Sequence, residues 1–269
     1  MPDSSASLQP IAWVEQQWGT PAGLSLPLDD RALALGDGVF ETLLLRDGHP
    51  QLLSAHLERW NSGAQLLQLP PPPDLRQVQA WIQAASERSG IRSGALRLNW
   101  SRGSGGRGLV PPAQPQGRCW GTLHPHQPSF TLTTTMVSTR VQRWSRDPLA
   151  RCKSFNYGAM VLARQEALQA GADDALIRNS EGQLCCGSSA NLLVLRQGQW
   201  HTPPLQSGCL PGVMRARALE LGLARETELE AQLASSEPAV LLNSLDCRPL
   251  NSKAQPLARA LFERLLGSW

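Results

Sequence analysis

A chain of 269 residues that is 41% hydrophobic and 17% charged can bury a sizeable core and is not composed like a disordered protein. Its net charge of +3 is small and scattered, which argues against a nucleic-acid partner. No run approaches the roughly 18 apolar residues of a membrane span, and Met1-Pro2-Asp3-Ser4-Ser5-Ala6-Ser7 lacks a basic-then-apolar signal pattern, so a cytoplasmic setting is expected.

The first 30 residues are rich in Pro, Ser and Gln, with a strand expected at 11–14. Gly36-Asp37-Gly38 reads as a turn opening a strand that runs to residue 45, with a hairpin loop at 46–49. Ser54 is a fair cap for a helix carrying His56, Arg59 and Trp60, and the three-residue spacing puts His56 and Arg59 on one face. Four prolines at 70–73 break the chain, and Asp74 caps a second helix whose core face is Leu75, Val78, Ile82 and Ala85.

Residues 95–100 alternate as a strand and lead into Ser101-Arg102-Gly103-Ser104-Gly105-Gly106-Arg107-Gly108. Its glycines satisfy G-x-G-x-x-G, but Leu109-Val110-Pro111-Pro112 cannot begin the helix that a dinucleotide site requires, so that reading is rejected. Such a loop still lets backbone approach a ligand, and Arg102 and Arg107 bracket it with forks that match carboxylates. Pro- and Gly-rich residues 111–129 are expected to link an N-terminal α/β domain, 1–110, to a C-terminal α/β domain, 130–269.

In the second half, residues 130–142 are expected as strand and 159–168 as helix, which leaves Lys153 on the connection between them. Strands follow at 174–178, 191–195 and 239–242. A helix is expected to start near Leu210 with Pro211 in its first turn, where unpaired N–H groups make an anion site. Leu257, Leu261 and Leu265 mark a final amphipathic helix.

Two features bear on chemistry. Of 25 basic residues only Lys153 and Lys253 are lysines. Arginine cannot surrender its proton and lysine can, so a lone mid-chain lysine is a candidate amine nucleophile. The six cysteines, at 119, 152, 185, 186, 209 and 247, form no CxxC pair and no Cys/His cluster at zinc spacing; they read as reduced thiols with no metal site.

Several separated pieces share one resemblance. Gly36-Asp37-Gly38-Val39-Phe40-Glu41-Thr42, His56-Leu57-Glu58-Arg59, Lys153-Ser154-Phe155-Asn156-Tyr157, Gly187-Ser188-Ser189-Ala190-Asn191-Leu192 and Gly212-Val213-Met214-Arg215 resemble, in order, the fold-type IV pyridoxal-phosphate enzymes of the branched-chain and D-amino-acid aminotransferase superfamily. Within it, residues 101–108 resemble the loop of aminodeoxychorismate lyases.

The resemblance implies a mixed α/β fold of two domains with pyridoxal 5'-phosphate in the cleft between them, and a homodimer. It implies that Lys153 binds the cofactor and moves the proton. Arg59, the N–H groups of Val213 and Met214, and Asn243 would bind its phosphate, and Tyr157 would lie near its phenolic oxygen. Arg102 and Arg107 would meet the carboxylates of a small-molecule substrate. Glu41 is a polar site residue or, more simply, a buried structural carboxylate. The implied reaction converts 4-amino-4-deoxychorismate to 4-aminobenzoate, a folate precursor, and pyruvate; an aminotransferase of the same fold and a non-catalytic relative stay open.

One position departs from the pattern. Where the family carries a Glu that pairs with the pyridine nitrogen, this chain has Cys186. A neutral thiol there would weaken the ring as an electron sink, which disfavours transamination more than an elimination whose product is aromatic.

Overall fold

The computed structural model describes residues 8–234 and 236–267. The N-terminal heptapeptide, on which the signal-peptide expectation rests, lies outside them. The chain divides into two compact units, Met1–Gln127 with Lys153–Phe155, and Pro128–Cys152 with Asn156–Trp269.

The first unit is built on an antiparallel sheet of β1 (Ile11–Val14), β2 (Gln17–Gly19), β3 (Gly38–Arg46), β4 (His49–Pro50), β5 (Gly94–Ser101) and β6 (Arg118–Pro125), ordered β2-β1-β6-β5-β3-β4. β3 and β5 pair continuously from Gly38 opposite Ser101 to Leu45 opposite Gly94. Val39, Leu43, Leu44 and Leu45 of β3 are buried, so this strand is core on both faces.

Three helices belong to this unit: α1 (Arg31–Leu35), α2 (Leu53–Leu66) and α3 (Leu75–Ser89). Asp74 caps α3 as expected, its Oδ1 accepting from the Gln77 N–H at 2.8 Å. Val78, Ile82 and Ala85 are buried, whereas Leu75, in the first turn, is exposed. α2 starts one residue before Ser54, from Leu52 in a left-handed conformation with no side-chain cap.

Two expectations about domain organisation are corrected. The segment 111–129 is not simply a linker, because β6 lies inside it between β1 and β5. Flanking prolines and glycines mask a strand whose alternate residues Cys119, Gly121 and Leu123 are buried. The second correction concerns Lys153, which groups with the first unit although the chain on either side of 153–155 belongs to the second.

The second unit carries an eight-stranded sheet. β7 (Thr135–Arg143), β8 (Asp174–Asn179), β9 (Leu184–Gly187), β10 (Asn191–Arg196), β11 (Gln199–Thr202) and β12 (Ala224–Glu226) run in the order β12-β11-β10-β9-β8-β7. β13 (Ala239–Leu242) pairs with β10 and with β14 (Cys247–Pro249). The two parallel pairs, β7 with β8 and β11 with β12, are those whose connections carry α4 (Gly158–Gln169) and α5 (Val213–Glu220), as parallel pairing requires a crossover. α6 (Gln255–Leu266) buries Leu261 and Leu265. Pro211 falls just before the α5 cap, Gly212, rather than in the first turn. Among the described residues no helix is long and apolar enough to cross a membrane.

Asp174, at the start of β8, organises this unit. It is fully buried and accepts from Arg164 Nη2 and Arg248 Nη2, both at 2.7 Å, from Ser188 Oγ at 2.6 Å and from the Ala175 N–H at 2.8 Å. Replacing Asp174 by Ala leaves two guanidinium groups without their shared counter-charge. The expected cost is about 3 kcal/mol, read as a lower urea midpoint; a shift equivalent to less than about 1 kcal/mol would show that the cluster contributes little.

Candidate active site

Residues 153–155 are held on the start of β3 as a short antiparallel addition. Phe40 N–H donates to Lys153 O at 2.9 Å and Phe155 N–H donates to Gly38 O at 3.2 Å, with Val39 opposite Ser154. Position 38 must be glycine for this to happen: a Cβ there would stand 2.3 Å from the Phe155 ring and 2.6 Å from Trp100 O. The second glycine of Gly36-Asp37-Gly38 thus makes room for the lysine segment.

The Lys153 ammonium stands 4.4 Å from the centroid of the Phe40 ring, and the Arg97 guanidinium 3.7 Å from it. Phe155 stacks on Phe40 at 6.1 Å and tilts against Trp120 at 5.5 Å. The amine therefore has an aromatic floor and a half-buried position. Lys253, by contrast, is exposed and donates to Ser236 O.

One residue beyond Phe40, Glu41 is fully buried. It accepts from His56 Nδ1 at 2.7 Å, Arg59 Nε at 2.8 Å and Arg59 Nη2 at 2.5 Å. His56 and Arg59 do share a face of α2, and Glu41 is the structural carboxylate that they grip. Because a carboxylate offers no proton, Nδ1 is the protonated nitrogen of His56. Burial alone would raise the Glu41 pKa, but the Arg59 charge and the His56 bond outweigh it and hold the carboxyl at about 2. Burial, assisted by the Arg59 and Lys153 charges, pushes His56 below its ordinary value against the pull of Glu41. Arg59, expected at the cofactor phosphate, therefore has its fork oriented by Glu41.

The second unit places Tyr157 and Cys186 in one apolar cluster with Cys185 and Cys209. Register slips in the β8–β9 pairing, with Ile177 opposite Cys186 but Arg178 opposite Leu184, so Cys185 is an extra, bulged residue. The bulge breaks the alternation that turns neighbours on a regular strand to opposite faces, and Cys185 and Cys186 are buried in the same cluster. Arg143, whose Nε is buried without a hydrogen-bond partner, lies near enough for its charge to act on Cys186. The Cys185 bond, and then the Arg143 charge, overcome burial and pull the Cys186 thiol down to about 7, while Cys185 is pushed up. Position 186 thus holds a buried thiol whose pKa lies below its ordinary value.

At α5 no side chain caps the N-terminus, which leaves the first-turn N–H groups of Val213 and Met214 for an anion. Gly212 lies flush against Asn191, whose Oδ1 would be 2.0 Å from an added Cβ. Asn191 Nδ2 in turn donates to Leu210 O at 2.9 Å and fixes the entry to the helix. Asn243 uses its Oδ1 to accept from the Leu245 and Asp246 N–H groups, both at 2.9 Å, closing a turn after β13. Taken unit by unit, the chemistry fits pyridoxal phosphate: the Lys153 amine of the first unit suits an aldehyde, and the uncapped α5 start of the second suits a phosphate.

The two arginines of the glycine-rich loop have different fates. Arg102 is buried and makes four bonds, through Nε and Nη2 to Asp37 and through Nη1 and Nη2 to Gln68 O and Leu67 O. Its expected role at a substrate carboxylate is corrected to that of a structural clamp, because four of its five donors are spent inside the protein. Arg107 is exposed. Sequence reasoning missed Arg143, Cys185 and Arg97; a strand arginine and a cysteine doublet carry no signal of their own until the bulge brings them together.

The profile of the family described as Amino-transferase class IV matches residues 38–252. A bifunctional aminodeoxychorismate lyase / D-amino acid transaminase from Mycobacterium tuberculosis is 30% identical over 217 residues, covering 74% of this chain and 73% of that protein. The structure of 4-amino-4-deoxychorismate lyase from Pseudomonas aeruginosa superposes with a TM-score of 0.74 at 28% identity, over 93% of this chain and 97% of that one. Escherichia coli branched-chain amino acid aminotransferase shares the fold, with a TM-score of 0.80 at 21% identity over 89% and 84% of the two chains.

The Glu41 cluster predicts an acid limit. A carboxyl held at about 2 against an ordinary 4.5 contributes stability that is complete above 4.5 and is lost as pH falls toward 2. Glu41→Gln removes that dependence. The stability gap between wild type and variant, from urea midpoints, should therefore close by about 2 kcal/mol between pH 5 and pH 3. A constant gap would mean that Glu41 is not ionised in the fold.

Proposed function

Because the chain belongs to the class IV aminotransferase family, we propose that it is a pyridoxal-phosphate-dependent lyase that converts 4-amino-4-deoxychorismate to 4-aminobenzoate and pyruvate. The observation that carries this reading is Cys186, buried at the position where the family pattern has a carboxylate. Bound pyridoxal phosphate supplies an electron-withdrawing ring for the electron pair left when a carbon beside an amine loses its proton. A cysteine beside a guanidinium does less than a carboxylate to keep that ring protonated. Transamination depends on a strong sink. The lyase reaction depends on it less, because losing the proton and enolpyruvate makes the product aromatic. The likeness of residues 101–108 to the lyase loop and the lyase names of two relatives support the same choice.

In this reading Lys153 holds the cofactor through its amine. The same amine, when free, would take the proton from the amine-bearing carbon of the substrate. The Phe40 ring beneath it keeps the amine in place and limits water. Val213 and Met214 offer N–H groups to the phosphate. Arg59, squared by Glu41 and His56, adds a charge-assisted donor. Asn243, which closes the turn after β13, is assigned to the same phosphate, and Tyr157 packs beside Cys186. Arg107 meets a substrate carboxylate. A homodimer, a cytoplasmic setting and supply of a folate precursor belong to this reading through the family. The competing reading is a D-amino-acid or branched-chain transaminase, favoured by the second activity in the name of the Mycobacterium tuberculosis relative.

Purified protein with pyridoxal phosphate and aminodeoxychorismate should release 4-aminobenzoate and pyruvate in equal amounts with no amino acceptor present. Turnover that requires a 2-oxo acid would favour the transaminase. Cys186→Glu should raise alanine formed from pyruvate as a fraction of turnover by about tenfold; unchanged partitioning would remove Cys186 as the discriminating residue.

A further inference from the structure

The glycine-rich loop after β5 is gripped at both ends by a single carboxylate through two buried arginines. At its first stem Arg102 Nε donates to Asp37 Oδ2 at 2.7 Å. At its far stem Arg31, from α1, donates through Nη1 to Gly108 O at 3.1 Å and Val110 O at 3.4 Å, and through Nη2 to Leu109 O at 3.2 Å. Arg31 Nε closes the circuit on the same Asp37 Oδ2 at 2.7 Å. Arg31 is 4% exposed, so this is an interior clamp and not a solvated contact.

Backbone bonds continue the pattern. Arg31 N–H donates to Gly103 O at 3.1 Å and Arg102 N–H to Asp37 O at 3.2 Å. Between the stems Gly103, Gly105, Gly106 and Gly108 all have positive φ, a path that only glycine follows without strain. Gly103 has no alternative on a second count, since an added Cβ would stand 1.8 Å from Gln116 O. A run of glycines left to itself would sample many conformations. Here three consecutive carbonyls are bound by one guanidinium, and the residue left facing outward between two glycines is Arg107.

We propose that Arg31 is a positioning residue: by binding the carbonyls of 108–110 while Asp37 ties it to Arg102, it fixes the loop so that Arg107 is presented to a carboxylate of the substrate. The proposal rests on the lyase reading for the identity of that substrate. Preorganising the loop lowers the ordering cost that substrate would otherwise meet on binding, so the effect belongs in KM more than in kcat. Burial would raise the Asp37 carboxyl, yet the Arg102 and Arg31 bonds bring it below its ordinary value, so the hub stays charged across the working range.

The test compares Arg31→Gln, Arg31→Lys, Arg107→Gln and the Arg31→Gln/Arg107→Gln pair in protein loaded with pyridoxal phosphate. Arg31→Gln should raise KM for aminodeoxychorismate about tenfold with kcat within about twofold, and Arg31→Lys, which keeps the charge but loses the fork, should lie between it and wild type. Adding Arg31→Gln to Arg107→Gln should raise KM no further, because the first residue acts through the second. Tryptic cleavage after Arg107, followed by fragment mass, should become about tenfold faster in Arg31→Gln as the loop loosens. Independent, additive effects on KM, or cleavage at the wild-type rate, would overturn the proposal. Absence of any 4-aminobenzoate from wild type would instead overturn the lyase reading, and the cleavage rates would still decide whether Arg31 holds the loop.

Discussion

The structure depends on a three-residue strip, Lys153–Phe155, bonded to the start of β3. Two backbone hydrogen bonds and the missing side chain at Gly38 allow it. The strip brings the amine over Phe40, and the next residue of β3, Glu41, aligns His56 and Arg59. One strand thus sets the amine, its aromatic floor and the orientation of a neighbouring guanidinium.

Positive charge in this protein is almost always arginine, and the buried arginines sit against carboxylates. Arg59 and Arg102 each set a planar fork against a carboxylate, and Arg31 spreads its nitrogens over Asp37 and three carbonyls, which a lysine ammonium could not match. Arg164 and Arg248 converge on Asp174, each through one Nη2. Against that background an amine is a chemical exception, and the one on the β3 strip is where the fold has made room for it.

How much of this the sequence disclosed follows the range of the interactions. The α3 cap at Asp74, its buried face, the His56–Arg59 pairing and the hairpin after β3 rest on neighbours a few residues apart, and reading the residues in order was enough. β6 was hidden because its prolines and glycines sit at its flanks while its pattern is read only against β1 and β5. Arg102 was misjudged because its partner, Asp37, lies 65 residues earlier. Arg31 gave no signal at all, since the carbonyls it binds are about 78 residues away. Cys186 stands out in the sequence by its motif, but the bulge that sets Cys185 beside it comes from β8–β9 pairing, which no linear pattern records.

The account stands or falls on the amine of the β3 strip. Protein incubated with pyridoxal phosphate, reduced with borohydride and digested should carry the cofactor mass on the peptide that contains Lys153 and none on the peptide that contains Lys253. Cofactor fixed to Lys253 alone, or to neither lysine, would contradict it.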